Sequence, residues 1–236
     1  MKFAFAILLL TFSFSQKSID KNYLLGRFEP STDSRFIQLT SAHAKGNAVN
    51  RFLRKEAFAS FKEMARAANK EGVNLIIVSG TRNFDYQKKI WEDKWNGKVK
   101  VEGKDLSTIP DLNERAQLIL LYSAMPGTSR HHWGTDIDLN ETESEYFETA
   151  EGIKVYDWLT AHASEFGFCQ PYTSKVNGRT GYEEEKWHWS YLPLSKNLLE
   201  EYKKQIQHED ISGFSGSETA SSLQVIEKYV DGVACR

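Results

Sequence analysis

Pro126-Gly-Thr-Ser-Arg-His-His-Trp-Gly-Thr-Asp-Ile-Asp138 is the stretch on which this chain turns. Pro126-Gly127 stops the helical pattern before it, and Gly134 lets the backbone reverse. From Thr135 to Leu139 polar and apolar residues alternate, which predicts a strand with Asp136 and Asp138 on one face. Ile137 and Leu139 then enter the core. A second cluster, Glu185-Lys-Trp-His-Trp189, follows roughly fifty residues later and predicts an aromatic strand over Trp187 to Tyr191. His131 before the turn, Asp138 after it and His188 on a neighbouring strand can converge on one point.

Two imidazoles and a carboxylate form the donor set of a zinc site with one position left open. They suit zinc better than calcium or magnesium, which prefer oxygen throughout. Taken singly, each residue is more often an ordinary core or surface group. The joint pattern, with Glu185 three residues before His188, reverses that weighting. His132 and Asp136 compete for the same roles. His132 points away if its segment is extended, and Asp136 shares a face with Asp138, where it could orient a ligand imidazole. Glu185 has the chemistry of a general base. An offset of three on a flat strand puts side chains on opposite faces, so the chain must bend between Glu185 and His188. Glu183 and Glu184 leave open that Glu185 only ends a solvated acidic run. Ser79-Gly80-Thr81-Arg82, with Gln87 beyond, closes a buried strand, and Arg82 there could face an oxyanion or a substrate carboxylate.

Outward from the centre, Arg51–Asn69 has helical spacing and Val73–Val78 reads as a buried strand. Further helices are predicted from about Asp85 to Trp95, over Leu112–Ala124, Val155–Phe166 and Leu194–Ile206. A last one follows the capping-box pattern Ser215-Gly-Ser-Glu218, with Leu223, Ile226 and Val230 along one side. Lys94–Pro110 is a charged loop long enough to carry function. Helices and short strands mix without regular βαβ alternation, so the fold class is α+β, one domain whose small antiparallel sheet is flanked by helices.

The expected organisation is a signal peptide over 1–15, an N-terminal extension over 16–50 that wraps the surface, a catalytic domain over 51–210, and a C-terminal helix and tail over 211–236. Met1-Lys2, the apolar run Phe3–Phe14 and Ser13-Phe14-Ser15 have the layout of a secretory leader, which predicts export. No run of 18 apolar residues occurs, so no lasting membrane span is expected. Of 236 residues, 40% are hydrophobic and 26% charged, and the net charge of −2 gives no reason to expect nucleic acid. A monomer is expected. Cys169 and Cys235 could form one disulfide in an exported chain, or stand unpaired.

In this order the pieces resemble the zinc D-alanyl-D-alanine carboxypeptidases of the VanY type. The family's Ser-x-His-x-x-Gly-x-x-x-Asp is met by Ser129, His131, Gly134 and Asp138, which sets the register against His132 and Asp136. Its Glu-x-Trp-His is met by Glu185, Trp187 and His188. Its Ser-Gly-Tyr-Arg, with a glutamine five residues on, is met by Ser79, Gly80, Arg82 and Gln87, with Thr81 in place of tyrosine. Asp136 stands where a small or apolar residue is usual, and Lys186 where proline is common.

The resemblance implies zinc on His131, Asp138 and His188, Glu185 as base and Arg82 as electrophile. Ser129, Gln87 and Trp187 would lie near the substrate. It implies an exported peptidase that removes the terminal D-alanine from peptidoglycan stem peptides. Arg82, Arg130 and Gln87 are the candidates for its terminal carboxylate, and Trp133, Trp187 and Trp189 for the walls of the site. The alternatives are an L,D-carboxypeptidase or a D,D-endopeptidase on peptidoglycan, or a zinc-stabilised, hedgehog-like binding domain without turnover. Glu185 and Arg82 weigh against the last, because a structural zinc needs neither.

Overall fold

The strand pairing predicted around Asp138 forms in a computed structural model that describes residues 19–235. The expected signal peptide, 1–15, lies outside the described residues. Among them, β1 (Phe36–Gln38) pairs with β2 (Phe52–Arg54). A second sheet joins β3 (Ile77–Ser79), β4 (Asp136–Leu139), β5 (Phe168–Cys169) and β6 (His188–Tyr191) in the order β3-β4-β6-β5. Every ladder is antiparallel. The helices are α1 (Lys21–Leu24), α2 (Lys55–Lys70), α3 (Phe84–Trp95), α4 (Leu112–Ile119), α5 (Ala150–His162) and α6 (Leu192–Gln205). The chain is therefore a single α+β domain with small antiparallel sheets.

The register of β4 on β6 matters most for the site. Asp136 lies opposite Ser190, Ile137 opposite Trp189 and Asp138 opposite His188. With a period of two, Asp136, Asp138, His188 and Ser190 share one face, and Ile137, Leu139 and Trp189 take the other. That apolar face packs on Ala57, Phe61, Met64 and Ala68 of α2 and on Val155, Trp158 and Leu159 of α5. A second core joins Trp91 and Trp95 of α3, Ala116 and Ile119 of α4 and Leu198, Leu199 and Tyr202 of α6. Tyr172 of this second core meets His188 edge-on at 4.8 Å, so the polar sheet face looks toward it.

Residues from 19 to 50, expected to wrap the surface, contribute to both cores. Tyr23, Leu24, Leu25 and Phe36 join the second, and Leu39, Ala44 and Ala48 the first. Tyr23 Oη donates to the Trp133 carbonyl at 2.6 Å, and Trp133 Nε1 donates to the Leu24 carbonyl at 3.1 Å. Single apolar residues at irregular spacing fill the core here, which periodicity does not register.

Helix α4 stops at Ile119, short of the predicted Ala124. Beyond it the Leu121 carbonyl accepts from Glu183 N–H at 2.9 Å, a long-range bond that replaces helical continuation. Among the described residues, no regular α-helix follows Ser215. A 3-10 turn over Ser217–Thr219 and a π turn over Ile226–Val230 are separated by Gln224, whose φ of 52° lies in the left-handed region. Leu223, Ile226 and Val230 are nonetheless buried. Cys169 and Cys235 form a disulfide that pins the C-terminal segment to β5. Among the described residues, no helix is long and apolar enough to cross a membrane.

Candidate active site

Arg130–Trp133 is a 3-10 turn, with Ser129 at its N-cap and Gly134 closing it at φ 71°. A Cβ on Gly134 would lie 2.3 Å from the Phe36 ring, so only glycine fits this reversal beside β1. The tight turn, not an extended segment, sends the two histidines apart. His131 Nδ1 lies 2.9 Å from the Gly80 carbonyl, an acceptor only, so Nδ1 carries the proton and Nε2 presents its lone pair. His132 spends both nitrogens on backbone: Nδ1 donates to the Arg82 carbonyl, and Nε2 accepts from Gly127 N–H at 2.9 Å. Burial and the nearby Arg82 push the His132 pKa down to about 3, so it stays neutral.

His131 Nε2 approaches Asp138 Oδ1 at 3.4 Å, and His188 Nδ1 stands 3.5 Å from the same oxygen. Ligand atoms of His131, Asp138 and His188 lie within 4.8 Å of one another, and all three residues are buried. His131 Nε2 and Asp138 Oδ1 have no hydrogen-bond partner among the described residues. An ion between them would satisfy both orphaned atoms, so the donor set fits a metal. Burial alone would raise the Asp138 pKa, but His131, His188 and Arg82 together hold its carboxyl well below the usual range. Burial and Arg82 lower the His131 pKa, which keeps the ligand form.

Asp136 stands behind His188, placed where it can orient the ring. Its Oδ2 lies 2.9 Å from His188 Nε2, leaving Nδ1 to face the cluster. Asp136 is itself fixed by Arg130 Nε at 3.0 Å and by the Ser190 hydroxyl at 2.9 Å. A buried carboxylate behind a ligand imidazole sets its tautomer and raises its basicity. Burial opposes protonation of His188, yet Asp136 and Glu185 hold its pKa up at about 9.

Glu185 reaches the cluster as the required bend predicts. A turn over Lys186 and Trp187 precedes β6, and His188 N–H donates to the Glu185 carbonyl at 3.2 Å. The reversal brings Glu185 Oε2 to 3.0 Å from His188 Nδ1. Glu185 is buried and Glu183 is drawn off by Lys175 at 2.6 Å, so Glu185 is not simply the end of an acidic run. Burial pushes its pKa up, against the pull of His188. Arg82 extends a guanidinium nitrogen to 3.7 Å from Asp138 Oδ2, while its Nε is buried without a partner among the described residues. A cleft of about 410 Å³ opens over this group, lined by Arg82, Asp138, Glu185 and Trp187 and rimmed by Lys100, Val101 and Glu102 of the charged loop.

Residues 50–194 match the family model for VanY, D-alanyl-D-alanine carboxypeptidase. The chain belongs to the VanY family. It is 30% identical over 181 residues to YodJ of Bacillus subtilis (strain 168), whose carboxypeptidase name is provisional, covering 74% of this chain and 58% of that one. It is also 30% identical over 133 residues to a D-alanyl-D-alanine carboxypeptidase of Enterococcus faecalis (strain ATCC 700802 / V583), covering 56% of this chain and 46% of the relative. This chain thus spans about half the length of the curated relatives it matches. Among solved structures, the LdcB LD-carboxypeptidase matches with TM-score 0.52 and 27% identity, over 76% of this chain and 80% of that one. A mutant of the vancomycin-resistance D,D-pentapeptidase VanY in complex with Zn(II) shares the fold, with TM-score 0.52 and 24% identity over 77% and 92%.

Several residues expected at the VanY-type site lie elsewhere. Arg130 is fully buried, its Nε on Asp136, its Nη2 on the Ser190 hydroxyl at 2.6 Å and its guanidinium over Trp133, so it does not reach the cleft. Trp133 and Trp189 pack in the two cores, and only Trp187 of the three walls the cleft. The 3-10 turn and the strand period set those directions. Gln87 is buried, with Nε2 on the Ala124 carbonyl at 2.8 Å and Oε1 without a partner; Ser129 is also buried. Sequence reasoning does not single out Lys94, Ser123 or Tyr172. Lys94 is seven residues beyond Gln87 on α3, two helical turns along the same face, and that spacing is a signal for it. Ser123 falls in the stretch read as the end of a helix, which stops at Ile119, and Tyr172 in a segment without periodicity, so neither carries such a signal.

Proposed function

We propose that this VanY-family chain is an exported zinc D,D-carboxypeptidase that releases the terminal D-alanine from peptidoglycan stem peptides. The observation that carries this is the meeting of His131, Asp138, His188 and Glu185 beside a cleft lined by Asp138 and Glu185, with orphaned atoms on His131 and Asp138. His131, Asp138 and His188 would hold zinc, which when bound supplies Lewis acidity to the scissile carbonyl and the attacking water. Glu185 takes the proton from that water and passes it to the leaving amine. A carboxylate whose pKa is raised by burial is the stronger base, which favours taking the proton in the first step. Arg82, turned toward the same point, stabilises the developing oxyanion. Asp136 holds the His188 ring in place through Nε2. Trp187 supplies a wall for the substrate.

The leader-like Met1–Ser15 supports export, as does the Cys169–Cys235 disulfide, a bond that persists in oxidising compartments. Likeness to the LdcB LD-carboxypeptidase favours a second reading, L,D-cleavage one residue further in. Weighing the products from purified muropeptides separates them. Pentapeptide stems should give tetrapeptide plus free D-alanine. Conversion of tetrapeptide to tripeptide would establish the L,D reading, and loss of cross-links the endopeptidase. A zinc-loaded protein that cuts none of these would be a binding domain.

A further inference from the structure

Lys94 closes α3 with a half-buried amine that lines the cleft together with Arg82, Ser123 and Glu185. Its hydrogen-bond partner is the neutral Ser123 hydroxyl, and among the described residues no carboxylate pairs with it. Glu185 and Glu143 act on it only through space, and burial with the nearby Arg82 lowers its pKa. A charge held in partial burial without a counter-ion is unfavourable unless a ligand supplies one. Within hydrogen-bond reach among the described residues it meets the neutral Ser123 hydroxyl, so no direct ion pair accounts for a cation there, although Glu102, Glu143, Glu145 and Glu185 line the same cleft. Arg82, the second cation on this wall, also keeps a buried Nε without a partner among the described residues.

We infer that Lys94 and Ser123 form the subsite for the C-terminal carboxylate of the substrate peptide. The assignment rests on the carboxypeptidase reading and assigns the anion recognition that such an enzyme needs. It takes the place of Arg130, whose charge Asp136 consumes. The amine offers donors to one carboxylate oxygen and the Ser123 hydroxyl can donate to the other. Arg82 remains free for the reacting carbonyl. The subsite would exclude a peptide whose chain continues past the cut, since an amide there brings no charge to offset the lysine.

Binding is measured in the full chain carrying Glu185→Gln, with N-acetyl-D-alanyl-D-alanine and its C-terminal amide as probes, by calorimetry. The parent should prefer the free acid by about 10- to 100-fold, the range of a charge-assisted hydrogen-bond pair. Lys94→Met and Lys94→Gln should each abolish that preference, Lys94→Arg should retain part of it, and Ser123→Ala should lose less. In turnover of stem peptides the Lys94 variants should lose on KM more than on kcat. Free-acid preference that survives both neutral variants, or a parent that does not tell acid from amide, overturns the subsite. The two proposals fail separately. If no stem peptide is cut but the preference depends on Lys94, hydrolysis fails and the subsite stands. If stem peptides are cut while the preference ignores Lys94, the reverse holds.

Discussion

His131, Asp138 and His188 sit on or beside paired strands, and each histidine has its rear nitrogen tied, to Gly80 and to Asp136 respectively. Across the cleft, Arg82 comes from the exit of β3, Lys94 from the last turn of α3 and Ser123 from the loop after α4. The first side is over-determined: ladder register, tautomer and a buried carboxylate all specify one geometry. The second side is assembled from chain ends and loops, with fewer bonds behind each group. On the proposed reading, metal holding and substrate choice would be separable, and substitutions should affect one side without the other.

The largest effect should come from the ladder side. His131→Ala, Asp138→Ala and His188→Ala should each strip zinc on dialysis and bring hydrolysis below detection. His132→Ala should keep the ion and lose roughly 1–3 kcal/mol of stability, because the Gly127 N–H and the Arg82 carbonyl lose their buried partner. Metal content and urea unfolding decide it, and a zinc-free His132 variant beside a zinc-loaded His131 variant would reverse the assignment. Next, Glu185→Gln should retain zinc and fold yet lose about two to four orders of magnitude in rate. A loss below tenfold would remove Glu185 from proton transfer.

Asp136→Ala tests whether the ladder side depends on what stands behind it. Zinc affinity, measured against a chelator, should fall about 10- to 100-fold. Stability should fall by roughly 3–5 kcal/mol, since Arg130 is left buried without its anion. Lys94→Met, by contrast, should leave zinc affinity as it is; a matching drop in both variants would erase the distinction between the two sides. The smallest effect on the site should come from Cys169→Ser. Opening a link across 66 residues lowers stability by about 4 kcal/mol on chain-entropy grounds, with zinc content unchanged in folded protein.

Short-range order is legible in the amino-acid pattern. The helical spacing of Ala57, Phe61, Met64 and Ala68 is the buried face of α2. The alternation from Asp136 to Leu139 is a strand with its aspartates on one face, and the three-residue offset of Glu185 from His188 demands the bend that is found. These follow from periods of 3.6 and 2 and from turn chemistry, which act within a few residues.

The sequence by itself determined the α+β class, most helices, the three converging donors and the glutamate beside them. Tertiary structure alone decided that residues 19–50 fill core space, that Gln224 breaks the last helix, and that Cys169 meets Cys235. It alone turned Arg130 inward to Asp136 and brought Lys94 to Ser123 across 29 residues. The physical reason is range. Local steric periods fix which face a residue takes. What that face meets depends on ladder register and core packing between segments far apart in the chain, and no local pattern encodes it.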